Sequence, residues 1–185
     1  TEEGGRETAA ARNVIALLRG SDSDLADEFI VIGAHYDHVG YGRSGNALDR
    51  VESIHNGADD NASGVAAVLA AGAELAAQER ARGVVLAFWS GEELGLLGSA
   101  SFVNDTLGDA STLQACLNLD MIGRSRDNRL AIQGVGSSHG WRRLIEQANI
   151  PVGFDLQLQD DPYQPTDITS IYPKGVPSIA LFTGT

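Results

Sequence analysis

Apolar residues fall along this chain in short runs whose period changes between that of a strand and that of a helix. Asn13 to Leu18 and Phe29 to Ala34 are β-branched and aliphatic runs parted by the turn-forming stretch Gly20–Asp27, the pattern of two neighbouring strands. Val65, Val68, Leu69, Gly72, Leu75 and Ala76 lie on one helical face, with Asn61 or Ser63 available as a cap, which predicts a helix over about Ala62 to Arg80. Gly83 to Trp89 and Leu113 to Ile122 are continuous apolar runs, as expected of central strands buried on both faces. Further along, a helix from near Leu94 to Val103, a strand over Arg129 to Val135 and a helix over Ser137 to Ala148 are expected. Strands over Asp155 to Gln159 and Pro177 to Thr183 close the order, and Tyr41 to Asn56 reads as a polar loop. The alternation predicts a three-layer α/β/α sandwich with a mixed, mostly parallel central sheet. With no repeat and no long linker, residues 1–185 read as a single domain.

Composition narrows the partners. Thirteen Lys and Arg against 25 Asp and Glu leave a net charge of −12, which repels phosphate backbones and anionic lipid surfaces. Nucleic acid and membrane are therefore not expected as partners. No stretch approaches the roughly 18 to 20 apolar residues that span a bilayer. At this length a core can bury roughly 70% of the surface the unfolded chain exposes, without staples. The lone cysteine, Cys116, excludes an internal disulfide and reads as a small buried apolar residue. The clustered carboxylates are what needs explaining.

Those carboxylates gather where the predicted strands end, the edge at which ligands collect in open α/β sheets. His35-Tyr36-Asp37-His38 follows the second strand; a metal-binding imidazole commonly has a carboxylate nearby that fixes its tautomer. His38 is read as an ordinary hydrogen-bonded loop histidine. Gly57-Ala58-Asp59-Asp60-Asn61-Ala62-Ser63-Gly64 opens the long helix, and helix capping accounts for one of its acids more easily than for both. Ser90-Gly91-Glu92-Glu93-Leu94-Gly95 follows a buried strand, where carboxylates are costly without a cation, and adjacent side chains diverge. One of the two can thus bind a metal while the other serves as a general base. Asn118-Leu119-Asp120-Met121 places a further acid at an apolar strand end. One imidazole and three carboxylates suit a two-zinc cluster with ions about 3.5 to 4 Å apart.

The blocks GAHYDH, NGADDNASG, SGEELGLLGS and LNLDMIG, with the closing PTDITSIYPKGVPSIALFTG, resemble the co-catalytic zinc exopeptidases typified by bacterial leucyl aminopeptidase and aminopeptidase Y. The resemblance implies a zinc aminopeptidase acting on peptide or protein N-termini, exported to the periplasm or secreted. By it, His35 and Asp120 hold one zinc, Asp60 bridges to the second, and Glu93 also binds that second ion. Glu92 is then the general base and Asp37 the support of His35, while Asp59 takes a lesser, cap-like part. The family pattern has one more His ligand just after the FTG turn, beyond Thr185. The chain is therefore expected to be a catalytic domain cut short, with four of five ligands, at most one zinc held tightly and little activity of its own. His139, at a helix start, is a poor substitute.

Two alternatives share the fold. One is a receptor-like binding domain that catalyses nothing. The other is a glutaminyl cyclase-like transferase with a single zinc. The loop Asp160–Asp167 with Ile168, Ile171 and Tyr172 is a candidate side-chain pocket that suggests a hydrophobic first residue. Natural substrate and oligomeric state are not legible in one sequence.

Overall fold

The computed structural model describes residues 10–43, 47, 52–106 and 109–184. Seven strands form one sheet: β1 (Val14–Leu18), β2 (Phe29–His35), β3 (Gly83–Trp89), β4 (Leu113–Leu119), β5 (Arg129–Gln133), β6 (Asp155–Leu158) and β7 (Ser178–Phe182). Their spatial order is β1-β3-β2-β4-β7-β5-β6. The pairs β2–β3, β2–β4, β4–β7 and β5–β6 are parallel, while β1–β3 and β5–β7 are antiparallel. The expected mixed, mostly parallel sheet is what forms.

Helices cover both faces. Helix α1 (Gly64–Ala76) lays Val65, Val68 and Leu75 on Ala34, Val84, Leu86 and Phe88. Helix α3 (Trp141–Asn149) packs Trp141 and Ile145 on the same side of the other wing, against Ile132 and Ile179. On the opposite face, Phe102 and Val103, which follow the short helix α2 (Leu97–Ser101), meet Val31, Val85, Ala87, Trp89 and Cys116. Helix α4 (Ile168–Ile171) adds Ile171 there. All seven residues of β3 are buried, matching their unbroken apolar run. Cys116 is a free, buried thiol, as expected.

Element ends differ from the sequence pattern in instructive ways. The predicted helix over Ala62 to Arg80 is regular only from Gly64 to Ala76, because residues 58–63 take an irregular turn whose side chains bond elsewhere. The predicted helix over Leu94 to Val103 starts at Leu97, since Gly91, Gly95 and Leu96 all take positive φ and keep residues 91–96 out of helical geometry. Gly136 and Ser137 form a 3-10 turn, so α3 begins at Trp141 and not at Ser137. Strand β4 ends at Leu119 rather than Ile122, which leaves Asp120 just past the strand, its N–H still donating to the Leu181 carbonyl at 3.1 Å. Of the expected loop Tyr41–Asn56, residues 44–46 and 48–51 lie outside the described residues. Among the described residues no helix is long and apolar enough to cross a membrane.

Helix α1 is seated unusually close to the sheet. A Cβ on Gly64 would stand 2.4 Å from the Leu119 carbonyl oxygen and 2.4 Å from Asn61 Oδ1. Only glycine lets the helix start approach the end of β4 this closely.

Candidate metal centre

Strand β2 ends on His35, which pairs in register with Trp89 at the end of β3. Its side chain is 1% exposed. The ring Nδ1 lies 3.1 Å from the backbone carbonyl of Asp37, and with Nδ1–H donating to that oxygen, Nε2 is turned toward two carboxylates. Nε2 is 3.3 Å from Asp60 Oδ1 and 3.4 Å from Asp120 Oδ1. Donors about 2.0–2.1 Å from a tetrahedral zinc stand about 3.3 Å from one another, so this trio has the spacing of a ligand set. Burial by itself would lower the pKa of His35, but hydrogen bonds to Asp120 and Asp60 outweigh it and raise the imidazole to about 11. The same hydrogen bond from His35 holds the Asp60 carboxyl below its ordinary value. Without a cation, a proton on His35 neutralises part of the crowding.

The second oxygen of Asp60 faces elsewhere: Oδ2 is 3.7 Å from His38 Nδ1. That same nitrogen is 2.8 Å from Glu93 Oε1. His38, Asp60 and Glu93 thus make a second group of possible metal donors, sharing Asp60 with His35 and Asp120. The sequence pattern marks His38 only as a loop histidine and does not reveal this convergence. Burial raises the Glu93 carboxyl, with the Asp60 charge adding to the effect.

Glu92 stands beside both groups and belongs to neither. Burial lifts its carboxyl to about 8; the His35 charge opposes this, and Asp167, Asp120 and Glu93 add to it. A carboxyl poised near neutrality is suited to take up and return a proton. The turn carrying Glu92 and Glu93 follows Gly91, at φ +71, and is held by Asp37. One Asp37 oxygen accepts from the Glu92 N–H at 3.1 Å and the other from the Glu93 N–H at 3.3 Å. Asp37 also touches the His35 ring. Its nearer oxygen is 3.8 Å from Nδ1, and the Asp37 backbone carbonyl makes the closer contact instead. Two amides left free at the end of β3 take the carboxylate.

The segment before α1 is stitched to the segment after β4. Asn61 donates from Nδ2 to the Leu119 carbonyl at 3.0 Å, and its Oδ1 accepts from the N–H groups of Gly64 and Met121. Ser63 Oγ accepts from Ile122 N–H at 3.1 Å. Asp59 Oδ1 accepts from Gly123 N–H at 2.7 Å, while its other oxygen is 3.2 Å from Arg124 Nε. Asp59 is therefore no helix cap; it ties two distant stretches together, and Asn61 caps α1 at Gly64. These bonds fix Asp60 relative to Asp120.

Of the candidate pocket residues, Ile168 and Ile171 are fully buried in the core. Gln164, Pro165 and Thr166 do border a cavity of about 240 Å³ next to Asp120, together with Met121, Gln133 and Phe182. Asp167 proves fully buried behind the site, where desolvation raises its carboxyl to about 7 against the pull of the Ser99 hydroxyl. No local pattern signals that burial. His139 is exposed and stands in neither donor group.

The sequence profile of peptidase family M28 matches residues 13–185. Leucine aminopeptidase 2 of Trichophyton rubrum is 31% identical over 188 aligned residues, covering 96% of this chain and 34% of that protein. The chain thus spans about a third of the length of its curated relatives. Among solved structures, the zinc aminopeptidase BSAP from Bacillus subtilis superposes with a TM-score of 0.75 at 22% identity, over 93% of this chain and 40% of that one. The glutaminyl cyclase of Porphyromonas gingivalis superposes with a TM-score of 0.74 at 18% identity, over 94% of this chain and 63% of that one. At these identities the two structures speak for the fold.

Proposed function

Because the chain belongs to peptidase family M28, we propose that it is the catalytic portion of a zinc-dependent aminopeptidase that hydrolyses the first peptide bond of its substrate. The observation that carries this reading is the spacing of His35 Nε2 from Asp60 and Asp120, 3.3 and 3.4 Å. That distance suits ligands of one ion, and the split Asp60 carboxylate suits a neighbouring second ion. His35 and Asp120 would hold the first ion, Asp60 would serve both, and Glu93 would hold the second. Zinc bound here supplies a polarising charge for the scissile carbonyl and acidifies a water.

The rest of the chemistry belongs to the chain. Glu92, which stands beside both donor groups, takes the proton from the attacking water and delivers it to the departing amine. Asp37 keeps Glu92 and Glu93 in place through their amides. The surplus of carboxylates attracts the free ammonium of a peptide N-terminus, which favours the terminal bond over internal ones. The cavity beside Asp120 receives the first side chain; Met121, Leu181 and Phe182 give it apolar walls and Gln133 and Gln164 polar ones.

Zinc-loaded protein, assayed with aminoacyl anilides and with a peptide whose N-terminus is either free or acetylated, tests the reading. Release from the free terminus and none from the blocked one is the expected result. Zinc uptake without release from any free terminus overturns it. Cyclisation of an N-terminal glutaminyl peptide with a single bound zinc would favour the transferase alternative instead.

A further inference from the structure

The carboxyl ends of β2, β3 and β4 carry the metal-centre residues, and the sheet continues past them on both sides. Toward β7 and β5 lies the cavity beside Asp120. Toward β1 lies a second cavity of about 220 Å³, lined by Arg12, Asn13, Ser90, Leu97, Gly98 and Ser101 among others. Ser90 follows the last residue of β3, and Asn13 precedes the first of its antiparallel neighbour β1, so this cavity sits at the same edge of the sheet as His35 and Glu92. Contacts between distant stretches fix its walls. Asn13 donates from Nδ2 to the Gly98 carbonyl at 2.8 Å and accepts at Oδ1 from the Ser90 N–H at 3.1 Å. A Cβ on Gly98 would stand 2.4 Å from that Oδ1 and 2.4 Å from the Ser90 carbonyl oxygen. The Tyr36 hydroxyl, reaching over from the end of β2, donates to the Arg12 carbonyl at 2.6 Å.

We propose that this second cavity receives the part of the substrate that follows the scissile bond, and that Arg12 favours substrates with a carboxylate on the second or third residue. The inference rests on the aminopeptidase reading and extends it to the leaving side of the peptide. Direction follows from the proton. With the first side chain beside Asp120, the departing amine faces Glu92, and Glu92 stands on the β3 side of the centre. Ser90 precedes Glu92 by two residues, at most about 7 Å of chain, and an extended peptide covers that distance in two residues. Arg12 is the one charged residue among those lining the cavity, and among the described residues its guanidinium pairs with no carboxylate. Asp105, which accepts from Ser101 Oγ at 3.1 Å, lies outside the lining. Leu97, more than half exposed, adds an apolar wall. A net charge of −12 repels carboxylates at long range, so a preference for one has to come from a local cation.

Zinc-loaded chain is assayed with two pairs of tripeptides that share an N-terminal leucine: Leu-Asp-Ala amide against Leu-Asn-Ala amide, and Leu-Ala-Ala as the free acid against its amide. The first pair isolates a side-chain carboxylate and the second a terminal one. The expected result is a kcat/KM about 2- to 5-fold higher for the carboxylate member of at least one pair, the worth of a solvent-exposed ion pair. Arg12→Ala should bring that ratio to one or below, and Arg12→Glu should invert it. A ratio taken within one variant is blind to general damage, so it separates contact with substrate from loss of structure. Ser101→Trp, which fills the cavity from the exposed end of α2, should flatten the ratio with Arg12 still in place. No preference for either carboxylate in the unsubstituted chain, or a preference that survives Arg12→Glu, overturns the inference, while continued release of leucine leaves the aminopeptidase reading standing. Release of leucine from none of the four peptides overturns that reading and the inference with it.

Discussion

The two donor groups share one carboxylate and differ in everything that holds them. His35 ends a strand, is almost wholly buried, and sees Asp60 and Asp120 at nearly equal distances. His38 lies three residues past the strand, is about one-quarter exposed, and sees its partners at unequal distances. The first is set by the sheet and by the stitching of residues 59–63 to residues 119–124. The second depends on a turn hung from the side chain of Asp37. Groups carried on strands are held more precisely than groups carried on loops.

The largest effect should follow from removing what the groups share. Asp60→Ala is expected to abolish tight binding of every ion and with it turnover, with metal analysis and anilide hydrolysis as the measures; one ion retained at full affinity would show that the groups are independent. Glu92→Gln comes next, lowering the rate by about 10²- to 10⁴-fold while bound zinc is unchanged, because Glu92 stands beside both groups without belonging to either. Asp37→Ala should weaken zinc by about 10- to 100-fold, falling on the Glu93 side more than on His35, since its carboxylate bonds the Glu92 and Glu93 amides. Equal losses on both sides would erase the contrast between the groups. Asp59→Ala should cost about 1–3 kcal/mol of folding stability, read by denaturant unfolding, because it leaves the Gly123 amide unpaired and releases Arg124.

The pH dependence sharpens the contrast further. In the metal-free chain the folded state keeps a proton on Glu92 up to about 8, where the unfolded chain loses it near 4.5. It keeps one on His35 up to about 11, where the unfolded chain loses it near 6.5. Both shifts leave the folded state with more protons, so its stability falls as pH rises from about 4.5 through 11. Thermal midpoints of chelator-treated protein should drop across pH 5 to 9, and Glu92→Gln should flatten the lower half of that slope. Zinc must displace the His35 proton, so binding should release protons in calorimetry run in buffers of different ionisation heat.

Much of this is legible in the residues. The unbroken apolar run of β3 marks its central place, and His35, Glu92, Glu93 and Asp120 stand at strand ends, as their spacing suggests. Those signals are local: a run, a spacing, an acid where a strand stops. What cannot be read depends on contacts between distant stretches. The Asp37 carboxylate meets amides 55 and 56 residues away, and Asp59 reaches 64 residues to Gly123. His38 sits 55 residues from Glu93, and nothing near it in sequence distinguishes it from any loop histidine. Asp167 reads as a turn residue and is found sealed in the core. The start of α1 departs from its apolar pattern for a related reason, since side chains at 59–63 bond across to the end of β4 instead of to their own helix.

Gly64 makes the distance between helix and strand a dimension of the centre itself. A single methyl group there would meet the Leu119 carbonyl and lever the start of α1 outward, carrying Asp60 away from Asp120. The gauge that sets how far Asp60 stands from Asp120 is thus a residue that carries no donor atom on its side chain.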